Sequence, residues 1–316
     1  GRHCWNTGTQ AGLEQSLVLF EQALKADPTY ARAYAGIADA LVALGNQTAL
    51  DPKLAYPQAR TAAQNALRLD PTLADAHASL GLVAFIHDWD LATAGTELHK
   101  AVALDPASAT ARQHLARYLG SSGQFDAAID QALAAVELDP LSLSANSLLG
   151  ASYRMARRYD DSIDQLERSL TIFPDQFPIL YHLTFGYACA GRSEDALGAA
   201  DSMIRVAGRS LFALGALGYA RALFIGADEG RAIAAEMESA APEHYVCPYD
   251  LATIYAACGD LDLAVKWLEN AIDERDHALL FLKVDPALDA VRDRVGYRAL
   301  ISRLDGMMLQ SADRLT

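Results

Sequence analysis

Short amphipathic stretches alternate along the chain with a recurring stop. Residues 13–26, LEQSLVLFEQALKA, set Leu13, Leu17, Phe20, Ala23 and Leu24 on one face at helical spacing, which predicts a helix with a single apolar stripe. Asp27-Pro28 ends it, because proline lacks an amide donor and pushes the preceding residue out of the helical region. A second helix is predicted from Ala31 to Leu44, closed by Gly45. The stop returns as Asp70-Pro71, Asp105-Pro106 and Asp139-Pro140, and as Phe173-Pro174 without the acid. From Pro71 the steps between these prolines are 35, 34 and 34 residues. A fixed period of that length predicts stacked helix–turn–helix units in place of one central core.

The period also places the irregularities. Residues 46–57, NQTALDPKLAYP, stretch the first step and are predicted to be a loop insertion, with the next helix running from Gln58 to Leu69. Another helix is expected from Leu73 to Ile86, followed by a turn at His87-Asp88-Trp89-Asp90 that absorbs the extra residue of the 35-residue step and buries Trp89. The unit at 109–140 is the most regular, with Leu115, Ala116, Gly123 at the turn, Phe125, Ala128, Ala132 and Ala135. The next unit repeats the offsets with Leu149, Gly150, Tyr153, Tyr159, Ser162, Leu166 and Ser169. Small residues such as Gly150, Ala128 and Ala135 let paired helices approach, and Phe125, Tyr153 and Tyr159 are expected to fill the wedge beside them. Beyond Pro174 the period survives in Gly191, Gly218 and Gly259, each 68 residues after its counterpart Gly123, Gly150 or Gly191.

The expectation is therefore an all-α solenoid. Residues 1–278 form the repeat array, with a truncated first repeat in 1–30 and about seven repeats in 31–278. Residues 279–316 read as a polar-faced terminal cap of one or two short helices. The stretch GRHCWNTGT supplies only the last turn and the link of a partner for the helix at 13–26, so the opening reads as a cut.

Composition adds exclusions. Lys and Arg number 26 against 40 Asp and Glu, a formal charge of −14, which opposes a phosphate-binding surface or an anionic membrane surface. No apolar run approaches the ~18 residues of a membrane span, and a cytoplasmic location is expected. Cys4, Cys189, Cys247 and Cys258 are scattered without a metal-ligand or redox spacing and are expected to be reduced, small and mostly buried. Asp160-Asp161 and Glu194-Asp195 stand at helix starts, where carboxylates meet exposed amides, and Asp273-Glu274 reads as a solvated face. No His pair, phosphate loop or nucleophile context is present, so the chain is expected to be no enzyme and to need no cofactor.

The small pairs, turn-side aromatics and terminal prolines of 109–140 and 143–174 resemble the tetratricopeptide repeat, a 34-residue helix–turn–helix unit. The resemblance implies a right-handed superhelix whose first helices face a concave groove, and it maps Arg32, Asp39, Gln113, Arg117, Arg154, Tyr181, Tyr219 and Tyr249 onto groove positions. Asp75, Ala78 and Thr110 fall on the same positions. Arg117 and Arg154, with Gln113, suit a carboxylate or phosphate, and the three tyrosines suit a peptide or a small aromatic ligand. A solvated helix face is the alternative. The Lys and Asn pair by which chaperone-binding members hold a C-terminal carboxylate is missing. The opening forty residues and the stretch Tyr245–Leu300 are also similar to the repeat region that follows the effector in bacterial winged-helix regulators, nucleotide cyclases and some Ser/Thr kinases. That likeness implies a protein-, peptide- or small-effector-binding regulatory module without direct nucleic-acid contact; the alternative is a self-contained scaffold.

Overall fold

The computed structural model describes residues 1–5, 9–46, 50–241 and 244–313, with side chains described as far as Leu309. The helices in chain order are α1 (Arg2–Trp5), α2 (Gln10–Ala26), α3 (Ala31–Asn46), α4 (Pro52–Leu69), α5 (Ala74–Val83), α6 (Leu91–Leu104), α7 (Ala109–Ser121) and α8 (Phe125–Leu138). They continue as α9 (Leu143–Met155), α10 (Tyr159–Ile172), α11 (Phe177–Cys189), α12 (Ser193–Ala207), α13 (Leu211–Phe224), α14 (Ala227–Ala240), α15 (Pro248–Ala257), α16 (Leu261–Glu274) and α17 (Val295–Asp313). There is no strand among the described residues, and the chain is an all-α stack of helix pairs as the period requires. Two compact units divide it: unit 1 holds Gly1–Tyr118 and the described residues from Met308 on, and unit 2 holds Leu119–Met307.

Each Asp-Pro stop has a visible cause. Asp27 and Asp70 sit at helix C-caps in extended conformation, and their amides donate back to Ala23 and Ala66. The Asp27 carboxylate accepts the Thr29 amide at 2.9 Å and its hydroxyl at 2.7 Å, and Asp70 does the same with Thr72. The acid thus closes a turn around the proline.

The turn between the two helices of a pair keeps a stricter clock than the prolines. Trp89, Gly123, Arg157, Gly191 and Gly259 all have positive φ, from 59° to 81°, at steps of 34, 34, 34 and 68 residues. Glycine adopts this conformation without cost, whereas Trp89 and Arg157 do so under strain. The extra residue expected at 87–90 is taken up earlier, in a π-helical turn at Ala84–Asp88, after which the Asp90 amide reaches back to the Ala84 carbonyl at 2.9 Å. Trp89 is fully buried, as expected.

Close approach is equally specific. A Cβ on Gly150 would lie 2.4 Å from Leu166 Cγ, so α9 and α10 can pair at this distance only with glycine there. A Cβ on Gly218 would lie 2.6 Å from Ile254 Cδ1, between α13 and α15.

Four expectations need correction. Helix α4 begins at Pro52, not Gln58, because Asp51 caps it by accepting the Lys53 amide at 2.9 Å and Pro52 takes the first-turn position that needs no donor. Pro57 stays inside the helix, and residues 47–49 of the expected loop lie outside the described residues. Phe125, Tyr153 and Tyr159 are half-buried and do not fill a wedge completely; Tyr153 instead carries the Arg158 guanidinium 4.8 Å from its ring centre. The four cysteines are free but half-buried. The one or two short helices expected at the end of the chain are instead 3-10 turns at His277–Phe281 and Pro286–Val291, in and beside which Leu279, Leu280, Leu282, Ala287, Leu288 and Val291 are buried, followed by the 19-residue α17.

Candidate functional site

In unit 2 the first helices α9, α11, α13 and α15 touch in succession, while α10, α12, α14 and α16 pack against their own partners. This gives an inner layer of first helices, and α3 and α5 make the same contact in unit 1. The inner layer is where the groove positions fall.

In unit 1, Asp39 on α3 and Asp75 on α5 are bridged by Arg2, whose guanidinium donates to them at 2.7 and 2.9 Å. The Ser79 hydroxyl donates to the other Asp39 oxygen at 2.5 Å. A cavity of about 200 Å³ opens beside this bridge, lined by Asp39, Asp75, Ala78 and Thr110 together with Arg2, Trp5 and Ser108. Burial, reinforced by Asp75, pushes the Asp39 carboxyl up to about 6 despite Arg2. Arg32 is exposed and Gln113 half-buried. Arg117 is half-buried on α7 and pairs with no carboxylate among the described residues; burial lowers its pKa, and its titratable neighbours Tyr56 and His114 are both neutral. Burial and Arg117 together push His114 down to about 3, and its Nδ1 has no hydrogen-bond partner.

Unit 2 uses its inner layer differently. Arg154, only 4% exposed, donates to Asp285 Oδ1 at 2.8 Å across 131 residues of sequence. The Tyr249 hydroxyl donates to Asp285 Oδ2 at 3.2 Å, and Asp285 Oδ1 also accepts the Ala287 amide at 3.0 Å. Arg157 forks onto Asp289 at 2.6 and 2.8 Å. Phe185 stacks on Tyr219 with ring centres 4.7 Å apart, Tyr181 lies 4.9 Å from Phe185, and the Arg154 guanidinium sits 5.4 Å from the Phe185 ring centre. Burial raises Tyr181, Tyr219 and Tyr249 well above the ordinary phenol value. Four of the predicted groove residues, Arg154, Tyr181, Tyr219 and Tyr249, are therefore brought together, and the segment they meet is the chain's own residues 284–289.

Asp285 and Asp289 were missed in the sequence. Asp285-Pro286 repeats the stop seen four times upstream, and that signal marked a segment held by its acid. Asp250 was missed as well. It is 6% exposed at the start of α15, and its Oδ2 has no partner.

Comparison with known proteins matches residues 114–177 and 249–276 to the tetratricopeptide repeat. No curated protein matches the chain in sequence. Among solved structures, a tetratricopeptide repeat protein from Parabacteroides merdae aligns over 81% of this chain and 99% of its own, at 12% identity and a TM-score of 0.56. PilW, a type IV pilus biogenesis factor, aligns over 69% of this chain and 98% of its own, at 20% identity and a TM-score of 0.54. Yeast Tom70 covers 94% of this chain, which spans 62% of Tom70, at 16% identity and a TM-score of 0.54. At these identities the likeness speaks for the fold. The chain is an all-α stack in which residues 114–177 and 249–276 match the tetratricopeptide repeat.

Proposed function

We propose that the chain binds a segment of a partner protein on the inner layer of unit 1 and serves as the interaction part of a larger bacterial signalling protein. One observation carries the reading. In both units the inner layer already holds side chains that come from outside it, Arg2 between Asp39 and Asp75 in unit 1, and Asp285 and Asp289 on Arg154 and Arg157 in unit 2. A layer that accepts charged side chains of its own chain has the chemistry to accept those of another.

Unit 1 is the better receptor. It has a cavity beside Asp39 and Asp75, where a partner's cation would replace Arg2, and a half-buried guanidinium at Arg117 without a carboxylate among the described residues. A desolvated unpaired guanidinium gains more from an arriving carboxylate than an exposed one does. The reading needs no catalytic group and is that of a non-enzyme. The regulatory setting, with winged-helix transcription control as the leading output, rests on the sequence resemblance at the two ends of the chain.

The test is selection of binding peptides from a displayed library against the intact chain. Peptides so selected are expected to lose at least tenfold in affinity to Arg117→Gln or Asp39→Asn and to keep it in Arg157→Gln. Peptides indifferent to both unit 1 substitutions would overturn the proposal.

A further inference from the structure

Three carboxylates converge where residues 276–292 cross unit 2. Asp276 caps the first 3-10 turn by accepting the Ala278 amide at 2.9 Å, and Asp285 caps the second. Both are buried, at 5% and 6% exposure. Asp250 completes the group from α15, with its carboxyl packed on the backbone of α13: a Cβ on Gly215 would lie 3.1 Å from Asp250 Oδ2. The cations are too few. Arg154 serves Asp285, and Asp276 receives the Cys247 thiol at 3.1 Å and the Ala278 amide, with the His277 ring nitrogen 3.8 Å away. No group of three His, Cys, Asp or Glu among the described residues has the geometry to hold a metal ion.

A buried carboxylate met by a thiol, with its Oδ2 left without a partner, is tolerable when neutral and costly when charged. We propose that residues 276–292 form a latch on unit 2 whose closure is set by the protonation of Asp250, held shut by the neutral acid and loosened by the ionised one. Loosening exposes Arg154 and the Tyr181, Phe185 and Tyr219 rings that the latch covers. The groups that bear on Asp250 are Cys247 beside it, Asp276 and Asp285 on the latch, Tyr181 on α11 and Tyr245. Tyr181, Tyr245 and Cys247 all have raised pKa values and stay neutral through the physiological range; His277 beside Asp276 on the latch is the other group that can change charge, and Asp250→Asn separates the two.

Burial, with the charge of Asp276, pushes Asp250 up to about 7 from an ordinary 3.8. Opening the latch lets water reach Asp250 and lowers its pKa below that of the closed state, so the closed latch holds the proton to higher pH than the open one. Closure is strongest below the open-state pKa and weakens as pH rises towards 7. Between pH 6 and pH 8 the closing equilibrium should fall about tenfold.

Amide hydrogen exchange on the intact chain tests this. After correction for intrinsic rates, the opening constant of the latch amides Leu279, Leu282 and Leu288 is expected to be about tenfold larger at pH 8 than at pH 6. It should be independent of pH in Asp250→Asn. Asp276→Asn removes a like charge and should move the midpoint to lower pH, which keeps the proposal testable should Asp250→Asn fail to fold. Equal opening at both pH values in the unaltered chain, or a dependence that survives in Asp250→Asn, would overturn it. Neither result touches unit 1, so peptide binding there is judged separately.

Discussion

Replacing Arg154 and Asp285, singly and together, probes the contact that fixes the end of the chain. Both side chains are nearly inaccessible, at 5% and 8% exposure, and they meet at 2.8 Å. Removing one partner of a buried pair strands the other charge and costs about 3–5 kcal/mol. Arg154→Met should lie at the lower end, because Asp285 keeps the Tyr249 hydroxyl and the Ala287 amide as donors. Asp285→Leu should lie at the upper end, since it also removes a cap, about 1 kcal/mol, and leaves the Tyr249 hydroxyl unmatched. The double substitution leaves neither charge of the pair stranded and should be no less stable than Asp285→Leu alone. The two single losses should thus exceed the double loss by at least ~2 kcal/mol. Urea unfolding followed by hydrogen exchange at α9 and at residues 278–291 reads all three. Additive losses would refute the reasoning, for they would mean that the two groups do not hold each other.

Three further outcomes follow from the same geometry. Gly150→Val should destabilise the α9–α10 pair by about 1–3 kcal/mol in thermal unfolding, and Leu166→Ala in the same chain should recover part of that loss by vacating the overlapped volume. Gly191→Ala should cost about 1 kcal/mol although nothing lies within 4 Å of the added methyl, because the penalty belongs to the positive φ and not to packing; an unchanged melting temperature would count against the strained-turn account. His114 has a folded pKa lowered to about 3 from 6.5, so the unfolded chain takes up its proton first. Its contribution to stability is present above pH 6.5 and is lost as pH falls towards 3, and His114→Gln should flatten the acid limb of a pH–stability curve.

The repeat was legible because its markers are local. The Asp-Pro-Thr turn, the turn glycines and the small helix-contact residues act over a few positions, and each needs a particular residue type for a stated steric or hydrogen-bond reason. The start of α4 was misread because two prolines were taken as breakers, when the first sits at the helix start where no donor is needed. The site was less legible for a different reason. The mapping placed Arg154, Tyr181, Tyr219 and Tyr249 on one face, and the structure brings them together. Their partner Asp285 lies 131 residues from Arg154 in a segment with no helical period, so no local pattern joined the two. Arg157 gave no signal either, because its positive φ occupies a turn position where the neighbouring repeats have glycine.

Where a partner segment binds decides between the two units. Hydrogen exchange of the intact chain with and without a selected peptide should show new protection on α3, α5 and α7, with α9, α11 and residues 278–291 unchanged. Protection appearing on α9 and α11 together with faster exchange at residues 278–291 would contradict it, since the partner would then have displaced the chain's own segment from unit 2.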